Sequence, residues 1–272
     1  MRLLRSVLFA WLRLCHLFER AAGRGAFGRP LVQPLQNACP ETGNGLKCAL
    51  WKHYVRQFNA ASCSVATVAT VINALLETNG RLTRPVTQAE LLDTVGTAHW
   101  KQRMSPAGDN GRRGLPLPLL ARIVESSLKA YGIEYRCVEV LRAVKDSRRA
   151  GRIRRALAGH LASFESRGDR IVIAHFDQGE VLRTLHIPHI SPVGAFDAHH
   201  SLVSLLDVDP EAPGPYRVGL DVFYRSLSAD YNPLFRRFGY GSGGCVIIRT
   251  AGGKAQHPNP FPTGDAHDNA DR

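Results

Sequence analysis

The sequence predicts an α+β domain in which a helical part is followed by an antiparallel sheet. Three observations predict this class. Helical periodicity and caps dominate about residues 63–164, short β-branched runs dominate about 170–249, and the connections between those runs are short. Helices first and strands afterwards favour an antiparallel sheet. The 272 residues suffice for a hydrophobic core, and 44% hydrophobic with 21% charged residues exclude wholesale disorder, collagen and coiled coil.

The predicted helices differ in how much of their surface is apolar. Residues 63–77 are apolar on all sides, so this helix is expected to be buried, and the Asn-Gly pair after it ends it. Thr87 and Glu90 form a capping box that opens a short helix through about Thr94. Further helices are predicted over 117–131, 148–164 and 220–228. The helix over 148–164 carries its basic residues on one solvated face.

The predicted strands are short apolar runs rich in β-branched residues and bounded by turn signals. They cover residues 133–140, 170–176, 189–196, 201–208 and 244–249.

The net charge of +12 is concentrated in two segments. Residues 1–30 carry six arginines against one glutamate, and residues 142–155 carry seven basic residues against one aspartate. Neither segment has a base-reading motif, and a nucleic-acid enzyme usually spreads its Lys and Arg residues along the binding face, so no nucleic-acid partner is expected. No run of about 18 apolar residues occurs, which excludes a protein that spans the membrane several times.

Residues 2–20 predict an amphipathic helix. Its apolar face holds Leu3, Leu4, Val7, Leu8, Trp11, Leu14, Cys15 and Phe18. Its opposite face holds Arg2, Arg5, Arg13, His16 and Arg20. Three interpretations stay open: a helix on an anionic membrane surface, a signal sequence, or a helix packed on the protein's own core.

Composition divides the chain into three parts. Residues 1–35 are the amphipathic or targeting segment and a linker rich in Gly and Pro, which occupies 21–35. Residues 36–250 form one globular domain, and the polar residues 251–272 are expected to be a disordered tail. Membrane-associated, exported and cytoplasmic locations all stay open.

The six cysteines show no CxxC motif and no Cys/His zinc spacing. Cys39 and Cys48 flank a turn-rich loop, where they can pair in an exported protein and stay thiols in the cytosol. Cys137 and Cys245 lie inside apolar strand-like runs and are expected to be buried and inert.

One cysteine has the surroundings of a nucleophile. Cys63 opens the buried helix, where the helix dipole favours a thiolate and free N–H groups can bind an oxyanion. Gln57 can supply a second oxyanion donor. His189 starts a predicted strand and Asp207 ends the next, so a hairpin with its turn at 196–200 brings them side by side. This order of Gln, Cys, His and Asp is the papain-like arrangement and predicts a thiol enzyme.

Structural explanations compete with this interpretation. A lone cysteine before an apolar helix is usually a buried core residue, and Asp207 can serve only to cap a turn. Other residues can fill the same two roles. The competing bases are His175, His186, His199 and His200, and the competing orienting residues are Asp197 and Asp209. His189 is preferred because its predicted strand pairs with the strand of Asp207.

Two stretches resemble the phytochelatin synthase family. QFNAASCSVATVATVINALL, residues 57–76, is similar to the family's Q-x-x-x-A-x-C-G-x-A-S-x-x-x-V-L-N-A-L stretch. HISPVGAFDAHHSLVSLLDV, residues 189–208, is similar to its G-H-(F/I)-S-P stretch that ends in D-V. The Gln-to-Cys and His-to-Asp spacings match without gaps. Weaker likeness runs through 114–134 and 243–250, so the resemblance covers about 50–250.

The resemblance implies a papain-like fold and a specific chemistry. It implies Cys63 as nucleophile, His189 as general acid and base, Asp207 as the residue that orients His189, and Gln57 in the oxyanion hole. The implied substrate is glutathione or a similar γ-glutamyl thiol, cleaved at its Cys–Gly bond through a thioester. Water then gives γ-glutamylcysteine, and a second glutathione gives a phytochelatin.

The resemblance also sets expectations about partners. It implies no cofactor for the chemistry itself, and it leaves open activation by heavy-metal ions such as cadmium or zinc, or a metal–thiolate substrate. The Cys-rich C-terminal domain of plant and fungal members has no counterpart here, so the short bacterial type, in which hydrolysis dominates, is the expected relative. The oligomeric state stays open, with a homodimer as one option.

The chain departs from the family pattern at four positions. Ser64 and Pro188 stand where the family has glycine, and Pro210 and Gly243 stand where it has arginine. Arginines are natural partners of substrate carboxylates, so the substrate is the uncertain part of the prediction. Two groups of arginines are candidates to replace them: Arg225, Arg236 or Arg237 from nearby loops, and Arg103, Arg112 or Arg113 from the loop 99–114 at the pocket rim. A thiol peptidase acting on another peptide or isopeptide, and a non-catalytic membrane-associated binding protein, are the alternative functions.

Overall fold

The computed structural model describes residues 30–35, 44–105, 108–109, 113–229 and 243–251, together with scattered helical positions between 6 and 21. Between residues 30 and 251 of the described part, eight α-helices accompany one seven-stranded antiparallel sheet, which confirms the α+β class. None of the described helices combines the length and apolar character needed to cross a membrane.

The helices are α1 (Gly45–Lys52), α2 (Cys63–Thr78), α3 (Gln88–Thr94), α4 (Trp100–Met104), α5 (Leu117–Ala130), α6 (Ser147–Arg167), α7 (Gln178–Leu182) and α8 (Leu220–Ser228). The strands are β1 (Val32–Pro34), β2 (Tyr135–Arg142), β3 (Arg170–Asp177), β4 (Pro188–Asp197), β5 (Leu202–Leu205), β6 (Tyr216–Gly219) and β7 (Gly244–Thr250). The strand order in the sheet is β1-β6-β5-β4-β3-β7-β2.

Local sequence signals set several element ends as expected. The capping box of α3 is complete, since Thr87 accepts from the N–H of Glu90 and the Glu90 carboxylate accepts from the N–H of Thr87. Helix α5 ends before Gly132, which adopts a left-handed φ of 61°. Because of that turn, the next strand begins two residues later than predicted, and β2 covers 135–142 and not 133–140.

The elements that the sequence missed are short. Strands β1 and β6 and helices α1, α4 and α7 have between three and eight residues each. Strand β1 lies inside the predicted linker 21–35 and pairs with β6 at one end of the sheet. Such short elements show too few periods for a pattern to reveal them.

Helix α2 runs through the core and connects the helices to the sheet. It packs against α1, α3, α5 and strand β4. The Thr67 hydroxyl donates to the carbonyl of Ile190 at 3.0 Å, which fixes α2 on β4. The start of α2 therefore lies near the start of β4.

The predicted states of the other cysteines hold only in part. Cys245 is buried as expected, and burial raises the pKa of its thiol. Cys137 is half-buried and not buried, because β2 is an edge strand of the sheet, and burial together with Glu139 raises the pKa of its thiol. Cys48 forms no disulfide with any cysteine that the structure describes, and Cys39 lies outside the described residues, so their pairing stays a prediction.

Candidate active site

Cys63 begins helix α2 and is half-buried. The loop before it is held by its own side chains: Asn59 accepts from the N–H of Ala61 at 2.8 Å and donates to the carbonyl of Met104 at 3.2 Å. Ser62 Oγ accepts from the N–H of Asn59 at 3.0 Å and makes no side-chain bond to the first turn of α2. No side chain caps this turn, and the N–H of Val65 donates to the carbonyl of Ser62 at 2.9 Å. The N–H groups of Cys63 and Ser64 and the positive end of the helix dipole therefore remain available beside the thiol.

The structure brings His189 and Asp207 together. His189 is the second residue of β4, and its Nε2 lies 2.8 Å from Asp207 Oδ1. Both side chains are buried, and the ring edge-to-face contact with Phe176 has a centroid distance of 5.5 Å. Since Nε2 is bonded to the carboxylate, Nδ1 is the ring atom left to face the Cys63 thiol, which is close enough to influence the pKa of His189.

The hairpin that joins this pair is irregular. Asp207 does not end β5, as the sequence predicted, but lies two residues beyond Leu205. The pairing of β4 with β5 shifts at Gly194, where a Cβ atom would lie 2.8 Å from the Leu206 side chain. Beyond the shift the N–H of Leu206 donates to the carbonyl of Pro192 at 3.0 Å. The chain therefore continues along β4 and carries Asp207 back toward the start of that strand.

The environment of His189 favours its protonated form. Burial alone would lower the pKa of His189. The Asp207 carboxylate and its hydrogen bond to His189, with a smaller effect of Cys63, outweigh burial and raise the pKa of His189 well above its usual value. An imidazolium beside Cys63 stabilises a thiolate, which is the reactive form of cysteine.

Asp207 is held by four donors that sequence reasoning had not linked to it. Tyr216 Oη donates to Asp207 Oδ2 at 2.7 Å, and Gln178 Nε2 lies 3.4 Å from the same oxygen. The N–H of Asp209 donates to Oδ1 at 3.0 Å, and the Tyr54 hydroxyl donates to the backbone carbonyl of Asp207. Burial would raise the pKa of Asp207, but His189 and the hydrogen bonds from the Asp209 N–H and Tyr216 outweigh it and lower that pKa.

Tyr216 keeps its proton in this setting. Burial and the nearby charges of Asp207 and Asp209 raise the pKa of Tyr216 well above its usual value, so the hydroxyl acts as a donor. No local pattern in the sequence predicts that Tyr216 donates to Asp207, because the pairing of β5 with β6 brings the two residues together.

Gln57 lies beside the pair formed by His189 and Asp207. Its backbone N–H donates at 2.8 Å to the carbonyl of Val208, the residue after Asp207. Its side-chain oxygen is buried and has no hydrogen-bond partner among the described residues. This oxygen is an acceptor, so it is an open position for a hydrogen-bond donor beside His189 and Asp207.

Each competing residue has another partner. His175 Nε2 lies 2.9 Å from the Leu115 carbonyl. The remaining pairs are His186 with Asp177 at 2.9 Å, His200 with Asp197 at 2.7 Å, His199 with His200 at 3.3 Å, and Asp209 with Gln178 at 3.0 Å. These partners leave His189 and Asp207 as the pair that accompanies Cys63.

Ser64, one of the departures from the family pattern, has a structural explanation. It is buried, and its hydroxyl accepts from Trp100 Nε1 at 3.1 Å and contacts Met104 Sδ at 3.7 Å. Helix α4 therefore packs directly against the start of α2. Pro188 opens β4, a position at which a strand tolerates proline.

The expected arginines are placed in different settings. Arg103 is buried and bonded to the carbonyls of Ala98 and Gly114, with Asp109 beside it at 3.7 Å, so its side chain holds its own loop together. Arg225 is exposed on α8 and Arg113 is half-buried. Outside the described residues lie Arg112, Arg236 and Arg237.

An arginine that sequence reasoning missed lies beside a position where the family has one. Arg56 is exposed, and its guanidinium donates to the carbonyl of Pro210 at 2.9 Å. It directly precedes Gln57, so it carries a positive charge to the edge of the candidate site.

No group of three or more His, Cys, Asp and Glu side chains within the described ranges is arranged to hold a metal ion.

Comparison with known proteins gives one result for the chain as a whole. The family model described as phytochelatin synthase matches residues 33–232, which is more than half of the chain. No curated protein matches the chain.

Proposed function

The chain belongs to the phytochelatin synthase family, a family of glutathione-related γ-glutamylcysteine transferases, and we propose that it acts through a thioester on Cys63. The observation that carries this proposal is the buried His189, which is hydrogen-bonded to Asp207 at 2.8 Å and interacts electrostatically with the Cys63 thiol at the start of α2. We further propose that the fold is papain-like and that residues 36–250 form the catalytic domain, with β1 joined to it through β6.

In the first half of the reaction the Cys63 thiolate attacks the carbonyl carbon of the Cys–Gly bond in a γ-glutamyl thiol. The oxyanion accepts hydrogen bonds from the Cys63 N–H and the Gln57 side-chain amide. The His189 imidazolium gives its proton to the departing glycine nitrogen, and a γ-glutamylcysteinyl thioester stays on Cys63. Asp207 holds the ring and balances its charge.

The second half regenerates the enzyme. Neutral His189 takes a proton from the acceptor, which attacks the thioester carbonyl and releases Cys63 as the thiolate. Water as acceptor yields γ-glutamylcysteine, and the amine of a second γ-glutamyl thiol yields a phytochelatin. No step uses a cofactor, and heavy-metal activation or a metal–thiolate substrate stays a prediction.

Glycine release from glutathione tests the proposal. We expect wild type to release glycine and Cys63→Ala to lose at least about 10³-fold in rate, because the thioester has no other nucleophile. Cys137→Ala is the matched control, since that thiol lies on β2, outside the site. Equal rates for wild type and Cys63→Ala at every cadmium and zinc concentration would contradict the assignment.

Pro210 and Gly243 favour a second candidate, a thiol peptidase that acts on another peptide or isopeptide. The two candidates differ in the acyl group that Cys63 carries. Mass spectrometry of protein quenched during turnover reports that group directly. A γ-glutamylcysteinyl adduct supports the transferase, and a different acyl group supports the peptidase.

We propose that Arg56 meets a substrate carboxylate in place of the missing family arginine at position 210. Arg56→Ala is then expected to raise the KM for glutathione about tenfold and leave kcat unchanged, because a binding contact is lost. Arg56→Lys keeps the charge and recovers part of the loss. The control is Arg84→Ala, another exposed arginine, which pairs with Glu90. An unchanged KM in Arg56→Ala would remove Arg56 from the substrate site.

A further inference from the structure

The described positions between 6 and 21 are helical and carry a row of exposed apolar side chains. Val7, Trp11, Leu14 and Phe18 are spaced by four, three and four residues, so they form one stripe along the helix. The exposed fractions of these side chains lie between 59% and 74%, and Leu17 beside them reaches 59%. We call these five residues the N-terminal stripe.

The exposure of the N-terminal stripe argues against one of the three interpretations of residues 2–20, a helix packed on the protein's own core. A helix packed on the protein's own core would bury this face, yet more than half of each side chain is exposed. Single exposed apolar residues are ordinary, but a continuous stripe of large ones marks an interaction site. The stripe therefore calls for an occupant outside the globular domain.

We propose that the N-terminal stripe docks on an anionic phospholipid surface. The segment that contains it has six arginines and one glutamate within residues 1–30, a net charge of +5. The helical period of the sequence assigns four of these arginines to the face opposite the stripe. An amphipathic helix with Trp, Phe and Leu on one face and Arg on the other lies in the plane of an anionic interface.

Charge also argues against a second copy of the chain as the occupant. Two such helices, packed stripe to stripe, would cover the apolar side chains but leave the net charge of +5 in each segment without a counter-charge. An anionic lipid surface instead neutralises the same charge while it covers the apolar side chains.

Vesicle flotation with the full-length chain tests the proposal. We expect binding to vesicles of phosphatidylcholine with about one third phosphatidylglycerol, and little binding to pure phosphatidylcholine. Tryptophan emission gives a second readout, because Trp51 and Trp100 are buried and Trp11 is the exposed one. Its emission should shift to shorter wavelength only with the anionic vesicles.

The double variant Leu14→Glu/Phe18→Glu keeps Trp11 as the probe and is expected to lower partitioning at least about tenfold. Thr83→Glu/Ala89→Glu is the charge-matched control, at exposed positions of the globular domain, and should still bind. All of these side chains are exposed, so both variants should keep the melting temperature of wild type. Glycine release from soluble glutathione should also stay unchanged, so this test is independent of the proposed catalysis.

Several results would overturn the proposal. Absence of binding to either vesicle does so, and so does equal binding to both, since the anionic character is then irrelevant. Loss of self-association in Leu14→Glu/Phe18→Glu without vesicle binding identifies a second copy as the occupant. Recovery of the expressed chain without residues 2–20, judged by intact mass, identifies a removed leader.

Discussion

Two buried histidines on neighbouring strands of the sheet have opposite protonation behaviour. His189 on β4 faces the Asp207 carboxylate, and its pKa is raised well above the usual value despite burial. His175 on β3 faces the Leu115 carbonyl, and burial lowers its pKa to about 4. Burial disfavours the charged form of both rings, so the partner, and not burial, determines which histidine carries a proton.

The register of the sheet separates their roles. His189 pairs with Phe176 across β3 and β4, so these two side chains lie on one face. His175 precedes Phe176 and therefore points to the other face. One strand pair thus supplies a charged histidine to the candidate site and a neutral one to the core.

Activity should separate the two histidines most strongly. His189→Asn is expected to lower the rate of glycine release at least about 10³-fold, because proton transfer and the charge partner of the thiolate are both lost. His175→Gln retains an N–H donor for the Leu115 carbonyl and should stay within about threefold of wild type. Initial rates at saturating glutathione provide the measurement. Similar losses of rate in both variants would mean that each histidine affects activity only through the packing of the protein, and not through proton transfer by His189.

The pH dependence of the free energy of unfolding should reveal His175, the histidine that activity does not reveal. The pKa of His175 is about 4 in the folded chain and about 6.5 when unfolded, so below pH 6.5 the unfolded state binds the extra proton. The folded state therefore loses stability as the pH falls from 6.5 to 4, by about 3 kcal/mol from this group. His175→Gln has no such proton and should show a correspondingly smaller loss.

Urea unfolding of wild type and His175→Gln at pH 7 and pH 4 measures this difference. Carboxylates contribute to both proteins alike, so the difference between the two losses isolates His175. Identical losses would show that His175 takes up no proton on unfolding in this range.

The contrast also shows how far sequence reasoning reaches. Cys63 at a helix start, and a hairpin between His189 and Asp207, follow from local patterns and one turn, and the structure brings the three side chains together. His200 has a local partner in Asp197, but the partner of His175 is the carbonyl of Leu115, which is distant in the chain and is revealed only by the tertiary structure. Tyr216 and Gln178 were missed for the same reason: their link to Asp207 depends on strand order and on a five-residue helix.

Tyr216→Phe tests what keeps His189 protonated, and its expected effect on activity is much smaller than that of His189→Asn. Tyr216 does not touch the reacting atoms in the proposed mechanism, so it is a positioning residue that acts through Asp207. Removal of its hydroxyl takes a 2.7 Å hydrogen bond from the carboxylate and makes the charged form of Asp207 less favourable. The pKa of Asp207 should rise, that of His189 should fall, and kcat should drop about tenfold with KM unchanged.

The pH profile distinguishes positioning from simple loss of stability. If Tyr216 acts through Asp207, the limbs of the kcat profile move in Tyr216→Phe, whereas a merely structural role lowers kcat equally at every pH. Tyr224→Phe is the matched control, because the hydroxyl of Tyr224 is near the Val144 backbone and not near Asp207. A pH profile in Tyr216→Phe that overlays that of Tyr224→Phe would show that the state of His189 depends on Asp207 alone. A displaced profile would extend the contrast between the two histidines to a second layer of residues, in which a protonated tyrosine keeps the carboxylate charged and the carboxylate keeps His189 protonated.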